Sequence, residues 1–144
     1  MIKVAICDDD IQFIYKLEQS IFRFAEMKRI KVDVDGYTSG AEFIQKLQQS
    51  ERYDLLFLDI ELGDSSGIIV GNWIRSQIQY ESMQIVFVSA KEMYAMQLFD
   101  LRPMNFLVKP IQQERVDYIL DEYERLYQFQ PHIIEIGKGR NRYG

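Results

Sequence analysis

Short, nearly continuous apolar blocks alternate along this chain with longer stretches whose apolar residues recur every three or four positions. Four of the blocks stop on a polar or charged group. Lys3–Cys7 runs into Asp8, Asp9 and Asp10, Leu55–Leu58 into Asp59, Ile85–Val88 into Ser89, and Phe106–Val108 into Lys109. Blocks this short, without alternation, fit strands covered on both faces, as in a parallel sheet. The β-branched stretch Val32 to Tyr37 adds a strand, and Pro110 stops the last one, Asn105 to Val108. The periodic stretches predict helices between the strands. The first covers about Ile11 to Met27, with Ile14, Leu17, Ile21 and Phe24 in register. The second opens at a Ser39–Glu42 capping box and carries Phe43, Ile44 and Leu47. A third runs from Gly67 through Trp73 and Ile74 to about Gln79, and a fourth from about Met93 to Phe99. The last spans Gln112 to about Gln128, with Val116, Ile119, Leu120, Tyr123, Leu126 and Tyr127 on one side.

Five strand–helix units with short connections predict an α/β fold: an open, doubly wound, five-stranded parallel sheet with right-handed crossovers and helices on both faces. In the flavodoxin-like order 2-1-3-4-5, strands one and three flank the switch point. Sheets of this kind bind ligands there, beyond the carboxyl ends of their strands. Asp9 and Asp59 then face each other across the crevice, with Ser89 and Lys109 at the next two strand ends.

Composition changes the picture mainly at the chain ends. With 144 residues the chain holds one core-forming domain and little more. No apolar run approaches the roughly 18 residues that span a bilayer, and the early Asp8–Asp10 triplet does not suit a secretory signal. The single cysteine, Cys7, excludes an internal disulfide and fits a reducing, cytoplasmic setting; inside a strand it reads as a small apolar residue. The net charge is −5, and residues 131–144 hold three basic side chains and one acidic, so the first 130 residues stand at −7. So acidic a body makes a poor nucleic-acid surface, and any DNA-directed role belongs to another domain. Pro131 breaks the last helix, and His132–Ile136 reads as a short strand with no partner before the basic end. The organisation expected is one domain over 1–128, then a linker over 129–144 with the first strand of a missing C-terminal output domain.

The strand ends carry the chemistry. Asp8, Asp9 and Asp59 offer the hard oxygen donors that Mg2+ takes, one or two carboxylates with water and phosphate completing its shell. Acids this close raise one another's pKa unless a cation neutralises them, so the pattern implies a divalent ion. Asp59 ends the most apolar strand, which makes it rigid, partly desolvated and suited to form an aspartyl-phosphate. Lys109 brings a compact positive charge for phosphoryl oxygens, and Ser89 a hydroxyl donor. Phosphoryl transfer asks for little beyond alignment and charge neutralisation.

On these residues the chain resembles the receiver domains of two-component response regulators. The matching features are Asp8-Asp9, Asp59, Ser89-Ala90 and Lys109-Pro110, with Phe106 where the family carries its aromatic switch residue; they span residues 1 to about 128. The segments Asp59-Ile60-Glu61-Leu62, Ala90–Met96 and Phe106–Pro110 look most like receivers attached to LytTR-type DNA-binding domains. The resemblance implies that Asp59 takes a phosphoryl group from a phosphohistidine of a sensor histidine kinase. It implies Mg2+ on Asp9, Asp59 and the backbone carbonyl of Glu61, with Asp8 acting partly through water, and Lys109, after a cis bond to Pro110, paired with the phosphoryl group. Ser89 would move toward the phosphate and Phe106 turn inward. The altered surface of the fourth helix, fifth strand and fifth helix would favour a homodimer. His132–Ile136 would suit the opening strand of the missing DNA-binding domain, and no membrane partner is implied. One departure is Gly63, where many receivers have proline four residues after the phosphoacceptor. Glycine predicts a less rigid loop, and Asp64 adds negative charge near the site.

Other uses of these residues stay open. Asp8–Asp10 suit the N-terminus of the first helix, and Ser89 with Glu92 fits a capping box. Phe106, Tyr118, Tyr123 and Tyr127 suit half-buried packing, and His132 a solvated linker. Asp8-x-Asp10 also resembles the motif of haloacid-dehalogenase-type phosphatases, with Asp8 as nucleophile and Asp10 as general acid, although Ile11 and Gln12 do not continue it. Flavin binding is disfavoured, because phosphate does not settle against Asp8–Asp10.

Overall fold

Strands β1 (Ile2–Cys7), β2 (Val32–Tyr37), β3 (Leu55–Asp59), β4 (Gln84–Ser89) and β5 (Asn105–Val108) pair in parallel in the order β2-β1-β3-β4-β5. This computed structural model describes residues 1–128, so the expected strand at 132–136 and the linker at 129–144 lie outside the described residues. Helices α1 (Ile11–Lys28), α2 (Gly40–Gln48), α3 (Gly67–Arg75) and α4 (Gln113–Tyr123) cover the sheet.

Successive strand residues point to opposite faces, so a strand covered on both sides is apolar at every position. Val4, Ile6, Leu55, Phe57, Val86 and Val88 pack with Leu17, Ile21 and Phe24 of α1 and with Val116, Ile119 and Leu120 of α4. Their neighbours Ala5, Cys7, Leu56, Leu58, Ile85 and Phe87 pack with Phe43 and Leu47 of α2 and Val70 and Ile74 of α3. Each valine, leucine, isoleucine or phenylalanine among them contributes about 1.5–3 kcal/mol on leaving water. Cys7 is buried and burial pushes its thiol pKa up, which fits an inert core residue. On α4, Tyr123 is buried whereas Tyr118 is exposed, and so is Tyr127 just beyond the helix.

Three helical expectations change. The third helix stops at Arg75, and a short 3₁₀ turn, Ile78–Tyr80, follows. The Arg75 guanidinium donates to the carbonyls of Leu101 and Met83, each at 2.8 Å, which fastens the helix end where the chain turns toward β4. The expected fourth helix is a 3₁₀ run, Glu92–Leu101. Its capping box does not form: Ser89 accepts the N–H of Lys91, and Lys91 at the N-cap gives no side-chain bond, so the first turn has no side-chain anchor. The last helix gives way after Tyr123 to a wider π turn, Glu124–Gln128.

Strand register places the site. Cys7 pairs with Leu58, Asp59 with Val88, and Ser89 with Val108. The residues that follow or close these pairs (Asp8, Asp59, Ser89 and Lys109) therefore leave the sheet along one edge.

Candidate functional site

At that edge Asp8 and Asp59 are 1% and 3% exposed, while Asp9 is open to solvent. One carboxylate oxygen from each of the three lies within 4.8 Å of the others. The Lys109 ammonium reaches in from the end of β5, 2.9 Å from Asp8 Oδ2 and 3.7 Å from Asp59 Oδ2. Its backbone N–H donates to the Ser89 carbonyl at 2.9 Å, which holds the residue to β4, and the Lys109–Pro110 bond is cis. Residues far apart in sequence thus converge as the strand ends predict.

The charges do not balance. Burial and the Asp8 charge push the Asp59 carboxyl up to about 6, with Asp9 adding to the rise; Lys109 and the N–H of Glu61, 3.2 Å from Asp59 Oδ1, oppose it. Burial alone would lower the Lys109 pKa, but its close ion pair with Asp8 and the charges of Asp59 and Asp10 outweigh that and raise it. Asp8 Oδ2 has the Lys109 ion pair but no well-aligned hydrogen bond among the described residues. Three acids thus cluster beside one ammonium that pairs with two of them, and the third, Asp9, faces water. This all-oxygen set fits a hard divalent cation that keeps several waters.

Ser89 is buried at the neighbouring strand end. Its hydroxyl accepts from the N–H of Lys91 at 3.0 Å and lies 3.3 Å from Glu61 Oε1 as donor. The other Glu61 oxygen pairs with the Lys91 ammonium at 3.3 Å. The Glu61 side chain therefore bridges the β3–α3 loop and the segment after β4, a tie that sequence reasoning missed. Its signal was opposite charge at the same offset, two residues past adjacent strand ends. Phe106 is half-buried and packs against the core on the α2 and α3 side.

The loop after Asp59 is better anchored than Gly63 suggests. Asp64 accepts from the N–H groups of Gly40 and Ala41, both at 3.1 Å, and these bonds hold its pKa below the usual carboxylate range. Its charge is thus engaged at the N-terminus of α2, and these two bonds tie the loop that carries Gly63 to that helix. Ser66 caps α3 through Ile68 N, and Gly67 N donates to the Ile60 carbonyl at 2.7 Å. A Cβ at Gly67 would stand 2.1 Å from the Asp59 carbonyl oxygen, so only glycine allows this return.

The third acid of the triplet has a separate task. Asp10 Oδ1 accepts from Gln12 N at 3.0 Å and Phe13 N at 3.3 Å, capping α1. Capping and site chemistry therefore divide the triplet between them. A phosphatase with Asp8 as nucleophile and Asp10 as general acid is not supported: Asp8 is paired with Lys109 and Asp10 is spent on the helix terminus.

Comparison with known proteins agrees with this geometry. The response regulator receiver domain family matches residues 4–121. The sensory transduction protein LytT of Bacillus cereus is 30% identical over 131 residues, covering 90% of this chain and 50% of that protein. The chain spans about half the length of the curated relatives it matches. Among solved structures, the response regulatory domain of MrkE from Klebsiella pneumoniae superposes with a TM-score of 0.76 at 23% identity, covering 89% of this chain and 99% of that one. TrrA from Thermotoga maritima, in complex with Mg2+ and BeF, gives a TM-score of 0.69 at 23% identity, covering 85% and 98%. With the family matched across most of its length and the acids gathered at the sheet edge, the chain belongs to the response regulator receiver domain family.

Proposed function

We propose that Asp59 is the phosphoacceptor and that a sensor histidine kinase is the donor, which carries with it a cytoplasmic location. The observation that supports this most is the convergence of Asp8, Asp9 and Asp59 with the Lys109 ammonium 3.7 Å from Asp59. An Asp59 carboxylate oxygen attacks the phosphorus of the phosphohistidine, the P–N bond breaks, and the imidazole nitrogen leaves with the electron pair. Lys109 neutralises charge on the transferring oxygens. Asp8, Asp9, Asp59 and the backbone carbonyl of Glu61 would hold Mg2+, which when bound supplies charge neutralisation at the phosphoryl group.

Once an acyl phosphate forms, Ser89 would exchange its Glu61 contact for a phosphoryl oxygen, and Phe106 would follow into the core. The exposed apolar residues Met96 and Phe99 on the 3₁₀ run, Val108 on β5 and Tyr118 on α4 form the face on which the activated chain would pair with a second copy. The output would be transcriptional, through a LytTR-type DNA-binding domain joined by the linker over 129–144, as the half-length match to LytT suggests. The test is phosphorylation by acetyl phosphate, followed by intact mass. Wild type should gain one phosphoryl group only with Mg2+, and Asp59→Asn none; gain by the variant overturns the assignment.

A further inference from the structure

We infer that Phe13 is a positioning residue for Lys109: its ring faces the ammonium and fixes it against Asp8 and Asp59 in the orientation phosphoryl transfer needs. The inference rests on the phosphoacceptor reading above and adds a part to it. The Lys109 nitrogen lies 4.2 Å from the centroid of the Phe13 ring, well inside cation–π range, while Asp8 takes it at 2.9 Å and Asp59 stands at 3.7 Å. An ammonium has three donors on a flexible stem and no preferred geometry of its own. Two carboxylates at different distances leave it free to swing toward either acid. An electron-rich π face 4.2 Å away restricts that swing without competing for the phosphoryl oxygens.

The ring is itself held. Phe13 sits in the first turn of α1, its N–H donates to Asp10 Oδ1 at 3.3 Å, and it packs against the core beneath α1 and α4. With Pro110, Ile111 and Val116 it lines a cleft that runs beside Lys109. Asp10 therefore serves the site at one remove, by starting the helix that carries the ring. Leucine at this position would fill much of the same apolar space but offers no quadrupole, which separates positioning from plain packing.

The experiment compares wild type, Phe13→Leu and Phe13→Tyr in the full 144-residue chain. It follows Asp59 phosphorylation by acetyl phosphate across a Mg2+ titration. Phe13→Leu should lower the rate at saturating Mg2+ by about three- to tenfold and leave the Mg2+ Kd unchanged, and Phe13→Tyr should restore the rate. In 1H–13C spectra the Lys109 Cε protons should be ring-shifted upfield in wild type and Phe13→Tyr, and return toward ordinary positions in Phe13→Leu. A wild-type rate in Phe13→Leu, a Phe13→Tyr variant equally slow, or a loss confined to Mg2+ affinity overturns the assignment and leaves the phosphoacceptor reading standing. If wild type takes no phosphoryl group, both fall.

Discussion

At Asp59 the fold holds a carboxylate where burial and two neighbouring acids oppose its charge, so a proton, or a cation bound in its place, would relieve that cost. Its folded value of about 6 lies above the 3.8 of an unperturbed carboxyl. Stabilisation linked to this group is therefore fully present below about pH 4 and lost as pH rises through about 6. Asp59→Asn should raise the Mg2+-free stability at pH 7 by on the order of 2 kcal/mol, with the difference closing below about pH 4. Mg2+ should stabilise wild type and have less effect on the variant. Urea unfolding at the two pH values checks this; equal stabilities at both contradict it. This much of the site was legible in the sequence, because an apolar run that stops on Asp59 announces a buried strand end with an acid on it. Which acid of the triplet caps α1 was not legible, since adjacent acids look alike until the chain turns into the helix at Asp10.

Among the elements, the β3–α3 loop shows how a contact between distant segments replaces a local signal. Gly63 predicts a loose connection by backbone freedom alone. Asp64 overrides it by bonding two N–H groups at the start of α2, 24 and 23 residues away in sequence. Asp64→Ala should cost about 1 kcal/mol in thermal unfolding and speed hydrogen exchange at the Gly40 and Ala41 amides. Unchanged exchange there would remove the anchoring role. The 3₁₀ run Glu92–Leu101 escaped sequence reasoning for a similar reason. Ser89 and Glu92 have the spacing of a capping box, but the Ser89 hydroxyl is drawn instead to Glu61 and to the N–H of Lys91. The central strands β1, β3 and β4 were easier to read, since burial on both faces leaves them almost wholly apolar, and β2 showed through its β-branched residues.

Over the whole molecule, the carboxylates and Lys109 gather at one sheet edge, while exposed apolar residues stand on the 3₁₀ run, β5 and α4. Met96 is 86% exposed and Phe99 81%, large surfaces to leave in water. If this face pairs two activated copies, Phe99→Glu should weaken dimerisation of the phosphorylated chain in sedimentation velocity while leaving its phosphorylation rate unchanged. Dimers of normal strength in that variant would move the interface elsewhere. The central claim, that the converging strand ends make Asp59 the phosphoacceptor, is tested most directly by mapping the phosphoryl group to a residue. After phosphorylation with acetyl phosphate and Mg2+, reduction of the acyl phosphate and peptide mass analysis should find the modification at Asp59 alone. Modification at Asp8, or at no aspartate of the cluster, would contradict the account.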